Sequence, residues 1–211
     1  MVGVTQAQLG GRRVLEHDDV RRVVARLAHE IEDRLQVDAR GPLGVDPTRL
    51  ALVGVRTGGA HLAERLAKEI ELLGRPRPPV GVLDITLYRD DVLLGGHPAP
   101  VLRGTEIDFD VEGRPIVLVD DVLFTGRTVR AALDALLDLG RPRCVRLAVF
   151  VDRGLRELPV AADFVGRSLE TARNEHVEVR LIEEGHARDE VLLTVTAERR
   201  VLASGETGRN P

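Results

Sequence analysis

Aromatic residues are scarce in this chain: its 211 residues include no Trp, one Tyr and four Phe. Any core must therefore be filled by Val, Leu and Ala, and a hydrophobic content of 43% supplies enough of them. A single cysteine, Cys144, excludes an intramolecular disulfide, and with no second Cys or neighbouring His it reads as structural. No apolar run reaches membrane-spanning length, and Val2 to Gln8 is too short and weakly apolar for a signal segment. Neither sign of charge dominates. With Lys+Arg 30 against Asp+Glu 34 the net charge is −4, so a nucleic-acid surface would have to be a local patch. Repeats, metal-ligand spacing, a P-loop and a Ser-His-Asp order are likewise missing. These absences leave a soluble cytoplasmic protein with no membrane partner, built as one α/β domain with extensions.

What is present is concentrated between Ile116 and Leu137. Ile116-Val117-Leu118-Val119 is a short, continuous apolar run, as in a strand buried on both faces of a parallel sheet. Asp120 and Asp121 follow, then Thr125-Gly126-Arg127-Thr128, then apolar residues at 129, 132, 133, 136 and 137 with helical spacing. Strand, loop and helix in that order place two acids beside unpaired backbone N–H groups, an arrangement that receives phosphate. Leu50 to Val55, Arg56-Thr57-Gly58-Gly59 and a helix through Leu62, Leu66, Ile70 and Leu73 repeat the unit. Two N–H-rich loops at neighbouring strand ends suit one ligand with phosphate at both ends.

Elsewhere, Asp18 or Asp19 is expected to cap a helix striped by Val20, Val23, Val24, Leu27, Ile31 and Leu35, with Arg21, Arg22, Arg26 and His29 on its other face. Val80 to Leu87 reads as a strand, and the Gly- and Pro-rich stretch from Val92 to Glu106 as a lid, with a hairpin partner near Glu106 to Val111. Cys144 to Val151 is a further strand, leading into the polar turn Asp152 to Pro159. Ala162-Asp163-Phe164-Val165, Val177 to Ile182 and Val191 to Val195 are short strand candidates for the edge of a small subdomain.

The apolar strand, paired acids and Thr-Gly-x-Thr loop resemble the phosphoribosyl pyrophosphate (PRPP) motif of type I phosphoribosyltransferases. With Leu83 to Asp91 and the Val-Asp-Arg-Gly at 151–154, the chain from about Asp18 to Leu181 is similar to the pyrimidine-operon regulators that are also uracil phosphoribosyltransferases. The resemblance implies a mainly parallel sheet flanked by helices, a flexible β-hairpin lid and a small hood from about 152–182 plus an N-terminal part. Residues 18–197 would form the domain, with 1–17 loosely ordered and 198–211 a disordered tail. It implies that Thr125, Gly126, Arg127 and Thr128 bind the 5′-phosphate of PRPP, and that Arg56, Thr57, Gly58 and Gly59 bind pyrophosphate. Asp120 and Asp121 would act on the ribose, directly or through Mg²⁺, and Arg89 would neutralise the leaving group. Tyr88, Arg89 and Asp90 would open the flexible loop, and Asp152, Arg153 and Gly154 would begin the uracil-facing hood. Arg22, Arg26, Arg153 and Arg167 would meet the leader mRNA of a pyrimidine operon under control of UMP, in a homodimer or homotetramer. The chain departs from the family pattern at Gly58, where relatives carry arginine, at Ala25 (Thr) and Leu155 (His), and at Arg167, where they carry Lys. A regulator with vestigial catalysis and a purine phosphoribosyltransferase are the alternatives, and no residue identifies itself as the base for uracil N1.

Overall fold

The computed structural model describes residues 11–88 and 104–195. Leu50 begins a stretch with no exposed positions: β2, Ala51–Val55, is buried throughout, which only a strand covered on both faces can be. It lies second from one edge of a five-stranded sheet with β3 (Val80–Leu83), β4 (Pro115–Leu123), β5 (Cys144–Asp152) and β6 (Phe164–Ser168), in the order β3-β2-β4-β5-β6, so that β4 is central. All four pairings are parallel. The loops following β2, β3, β4 and β5 therefore converge on one rim.

Helices α1 (His17–Arg40) and α2 (Gly58–Leu72) bury Val20, Leu27, Ile31, Leu62 and Leu66 against Val117, Val119 and Phe150 on one face. On the other face α3 (Arg127–Leu137) lays Val129, Ala132 and Leu136 over Val53, Leu118 and Val149. The alternation of Val117 and Val119 with Leu118 along β4 divides one strand between two cores. At the ends of α1 and β5, Arg146 donates to Asp38 at 2.9 and 3.0 Å and to Asp163 at 3.0 Å, so the buried Asp38 carboxylate is fully met.

A second, antiparallel sheet stands apart: β1 (Arg12–Leu15), β8 (Glu190–Val195) and β7 (Glu175–Arg180), in the order β1-β8-β7. Arg65 of α2 fastens it, donating to Asp189 at 2.6 and 2.8 Å and to Glu183 at 2.8 Å. This is the hood. Several expectations change here. The segment through residue 17, read as loose, holds β1 and the start of α1, because β1 gains its stability from backbone pairing with β8 and buries only Leu15. Phe164–Ser168, assigned to the hood, is instead the edge of the main sheet, paired with β5. The cap of α1 is Glu16, whose N–H donates to Asp19 at 3.0 Å, and not Asp18 or Asp19. The strand read from Val80 to Leu87 stops at Leu83, since Asp84 accepts from the Thr86 N–H at 2.9 Å and bends the chain into a short turn at Thr86–Tyr88. The hairpin partner near Glu106 is reduced, among the described residues, to one bridge between Val82 and Glu106. The lid from Val92, with Arg89 and Asp90, lies for the most part outside the described residues, as do 1–10 and 196–211.

Candidate active site

At the rim of the parallel sheet a cavity of about 370 Å³ opens between the loops. Its walls are Val55, Arg56 and Thr57 from the loop after β2, Asp84, Ile85 and Thr86 after β3, Asp120, Asp121 and Val122 of β4, and Thr128 of α3. The two expected phosphate loops thus face one another across the paired acids.

The acids lie inside the last turns of β4, where the strand still pairs with β5 at Asp120. Asp120 is 4% exposed, and its Oδ2 is buried without a hydrogen-bond partner. Its Oδ1 accepts from the Asp121 N–H at 3.1 Å, and Asp121 Oδ1 accepts from the Val122 N–H at 2.8 Å. Burial, then the neighbouring Asp121 charge, pushes the Asp120 carboxyl well above the usual carboxylate range. Burial also raises Asp121, opposed chiefly by the Val122 N–H and more weakly by the charge of His176 on β7. A buried acid and a half-buried one this close resist carrying two negative charges at once, a cost that a cation or a developing positive charge relieves.

Each loop is shaped by a close approach. Gly126, at φ +92, caps α3 in the left-handed region, where a side chain would meet Val160 at 3.3 Å. Thr125 O accepts from both Glu157 N–H and Leu158 N–H at 3.0 Å, and Arg127 Nε donates to Glu157 at 3.0 Å. Thr128 reaches the cavity wall, while Thr125, Gly126 and Arg127 form the turn behind it. In the other loop the Arg56–Thr57 peptide is cis. Arg56 and Thr57 line the cavity, whereas Gly58 and Gly59 are the buried first residues of α2. A Cβ at Gly58 would sit 2.8 Å from Asp121 Oδ2, so the glycine makes room for the acid.

Among the described residues, the other expected site residues do not line this cavity. Tyr88 donates to Asp138 at 2.7 Å, which ties the turn after β3 to the C-terminal end of α3. Asp152 closes β5 and accepts from the Gly154 N–H at 2.9 Å. Arg153 corrects an expectation: it is 4% exposed, its guanidinium stacks 4.1 Å from the Phe124 ring centroid, and it donates to Thr171 and to the carbonyls of Ala172 and Glu175. With its Nε and Nη2 spent inside the protein and the side chain buried, it has no place on an RNA surface. Arg22, Arg26 and Arg167 do share an exposed face where α1 crosses β6, with Arg26 donating to the Gly166 carbonyl at 2.5 Å.

Two groups escaped the sequence reading. Asp84-Ile85-Thr86 forms a cavity wall, and although it lies in the Leu83 to Asp91 stretch that carries the resemblance, the sequence reading gives it no role in the site. Arg156 donates to the carbonyls of Phe124 at 2.8 Å, Gly154 at 3.0 Å and Val160 at 3.1 Å, and to Asp152 at 2.5 Å. These contacts tie the turn after β4 to the turn after β5.

Fold and site together define a phosphoribosyltransferase, and the phosphoribosyl transferase domain family matches residues 12–184. The chain is 51% identical over 188 residues to the bifunctional protein PyrR of Roseiflexus sp. (strain RS-1), covering 89% of this chain and 97% of that protein. It is 52% identical over 187 residues to the PyrR of Streptomyces coelicolor, covering 88% and 91%. The chain belongs to the PyrR family. Among solved structures, the hypoxanthine phosphoribosyltransferase of Trypanosoma cruzi superposes with a TM-score of 0.65 at 16% identity, over 90% of this chain and 100% of that one, a likeness of fold alone. No helix among the described residues is long and apolar enough to cross a membrane.

Proposed function

We propose that the protein transfers the phosphoribosyl group of PRPP to uracil, forming UMP and pyrophosphate, and that with UMP bound it regulates a pyrimidine biosynthesis operon by binding its leader mRNA. The observation that carries this reading is the buried Asp120 paired with the half-buried Asp121 between an Arg56–Thr57 loop and a Thr128 loop, in a chain about half identical to bifunctional PyrR proteins. Uracil N1 bonds to C1′ of the ribose as the C1′–O bond to pyrophosphate breaks, and positive charge spreads over the ring. Asp120 and Asp121 lie where carboxylates would stabilise that charge, in a site whose burial strengthens the interaction. Arg56 and the Thr57 side of the loop would receive the departing pyrophosphate. The turn at Thr125–Thr128 would fix the 5′-phosphate, with its N–H groups at the start of α3.

The unpartnered Asp120 Oδ2 beside Asp121 fits a hard divalent cation. Among the described residues no group of three or more Asp, Glu, His or Cys could hold a metal. Mg²⁺ would thus rest chiefly on PRPP oxygens and water, with the acids touching its shell or the ribose hydroxyls. When bound, it would screen the pyrophosphate charge.

With labelled uracil, PRPP and Mg²⁺, the protein is expected to produce UMP. Protein that is inert with uracil yet active with hypoxanthine or guanine would overturn the substrate assignment. For the regulatory half, Arg22→Gln or Arg167→Gln should weaken binding to the organism's own pyrimidine leader RNA and lower the slope of log affinity against log salt by about 0.7 for each RNA phosphate no longer neutralised. The buried Arg153 should leave that slope unchanged when replaced by Met. Equal slopes in all four proteins would remove this face from RNA binding.

A further inference from the structure

Arg56 is already engaged by an anion belonging to the chain itself. Its Nη2 donates to Glu106 Oε1 at 2.8 Å and to the Gly104 carbonyl at 3.3 Å, while its Nε is buried without a partner. The two halves of this ion pair sit differently. Arg56 is on the cavity wall, with its side chain 21% exposed, whereas the Glu106 side chain is 66% exposed. The Glu106 backbone is fixed by two hydrogen bonds of 2.8 Å to Val82, the N–H and carbonyl of each meeting those of the other. The carboxylate is therefore held within reach of Arg56 by a rigid bridge, yet is free to swing into water at low cost.

We propose that Glu106 is an intramolecular competitor for the pyrophosphate subsite, occupying Arg56 until an incoming pyrophosphate group displaces it. This rests on the reading of Arg56 as a pyrophosphate ligand. A carboxylate and a pyrophosphate oxygen demand the same guanidinium N–H groups, and a pair that is mostly in water contributes little when formed. The competition is consequently mild. It weakens the grip on free pyrophosphate, the product that must leave, and on the corresponding end of PRPP. Glu106 is a positioning residue here, acting through Arg56 and touching no reacting atom.

The test is titration calorimetry of the full chain with inorganic pyrophosphate and Mg²⁺. Glu106→Gln keeps the size of the side chain and removes its charge. It is expected to bind pyrophosphate about three- to fivefold more tightly than the parent protein, the gain that the loss of a mostly exposed competing ion pair allows. Glu106→Ala should show the same gain, which guards against an effect peculiar to the amide. Arg56→Gln should bind more weakly, and adding Glu106→Gln to it should produce no further change. If Arg56→Gln weakens binding but both Glu106 variants bind as the parent does or more weakly, the competitor role is overturned and the pyrophosphate loop stands. If Arg56→Gln binds like the parent, Arg56 is not a pyrophosphate ligand, and both readings fall together.

Discussion

Asp120→Asn is expected to lower turnover by about two to three orders of magnitude while making the protein more stable at alkaline pH. The two effects have one cause. A carboxyl that is 4% exposed, with one oxygen unpartnered and a second acid alongside, is costly to ionise. Its pKa in the folded protein lies above that of the unfolded chain, so between about pH 4 and that raised value the folded state binds more protons than the unfolded one. Stability contributed by this group therefore falls as pH rises through the window. An asparagine removes the slope, and its amide can donate toward Asp121 where two carboxylates repel. A gain of about 1 to 2 kcal/mol above neutral pH, seen as a melting temperature a few degrees higher, is the expected size. Thermal unfolding across pH 5 to 9, run beside a uracil assay, checks both halves. An asparagine variant less stable than its parent throughout that range would show that the buried pair is not a site of stored cost.

Gly59→Ala is expected to be the most damaging single methyl in the site. A Cβ there would lie 2.4 Å from the Val119 carbonyl oxygen and 3.1 Å from the Asp120 Cα. Both belong to the backbone of β4, which pairs with β2 on one side and β5 on the other and cannot yield without breaking a ladder. The helix would have to lift from the sheet. Overpacking of this kind costs about 3 kcal/mol, or roughly 6 to 12 °C in melting temperature for a chain of this size. Gly74→Ala is the control. At φ +79 with nothing within 4 Å, it loses only the cost of the left-handed conformation, about 1 kcal/mol. Equal losses in the two variants would mean that α2 does not rest on β4 at Gly59. Because the displaced atoms include the Asp120 Cα, any folded Gly59→Ala protein should also lose activity beyond its loss of stability.

The parts of this site that could be read from sequence are those whose chemistry is local. Ile116 to Thr128 announced a buried strand, two acids and an anion turn, because an unbroken apolar run, adjacent carboxylates and a small-residue loop each have few other uses. Arg56 and Thr57 were legible by repetition of the same unit. What could not be read depends on partners remote in sequence. Arg153 stands in a polar turn and looks exposed, and only the arrival of Phe124 and of the 171–175 carbonyls buries it. Arg156 looks equally ordinary until the carbonyls of Phe124 and Val160 are brought to it. Phe164–Ser168 is too short for its pattern to say which sheet it joins, and register with β5 decides. Arg12–Leu15 has one buried residue and no alternation to betray a strand, since its partner is near the other end of the described chain.

That last pairing bears on how the molecule is made. Within the described residues β1 is held in its sheet by β8 alone, and Arg12 lies opposite Leu193. A ribosome releases β1 early, but it has nothing to pair with until the chain has been synthesised almost to residue 195 and β8 has cleared the exit tunnel. The parallel sheet and both acids can assemble before then. The hood closes last, so a nascent chain passes through a stage with a formed phosphate-binding rim and no roof above it, its first strand an unpaired edge waiting for its mate.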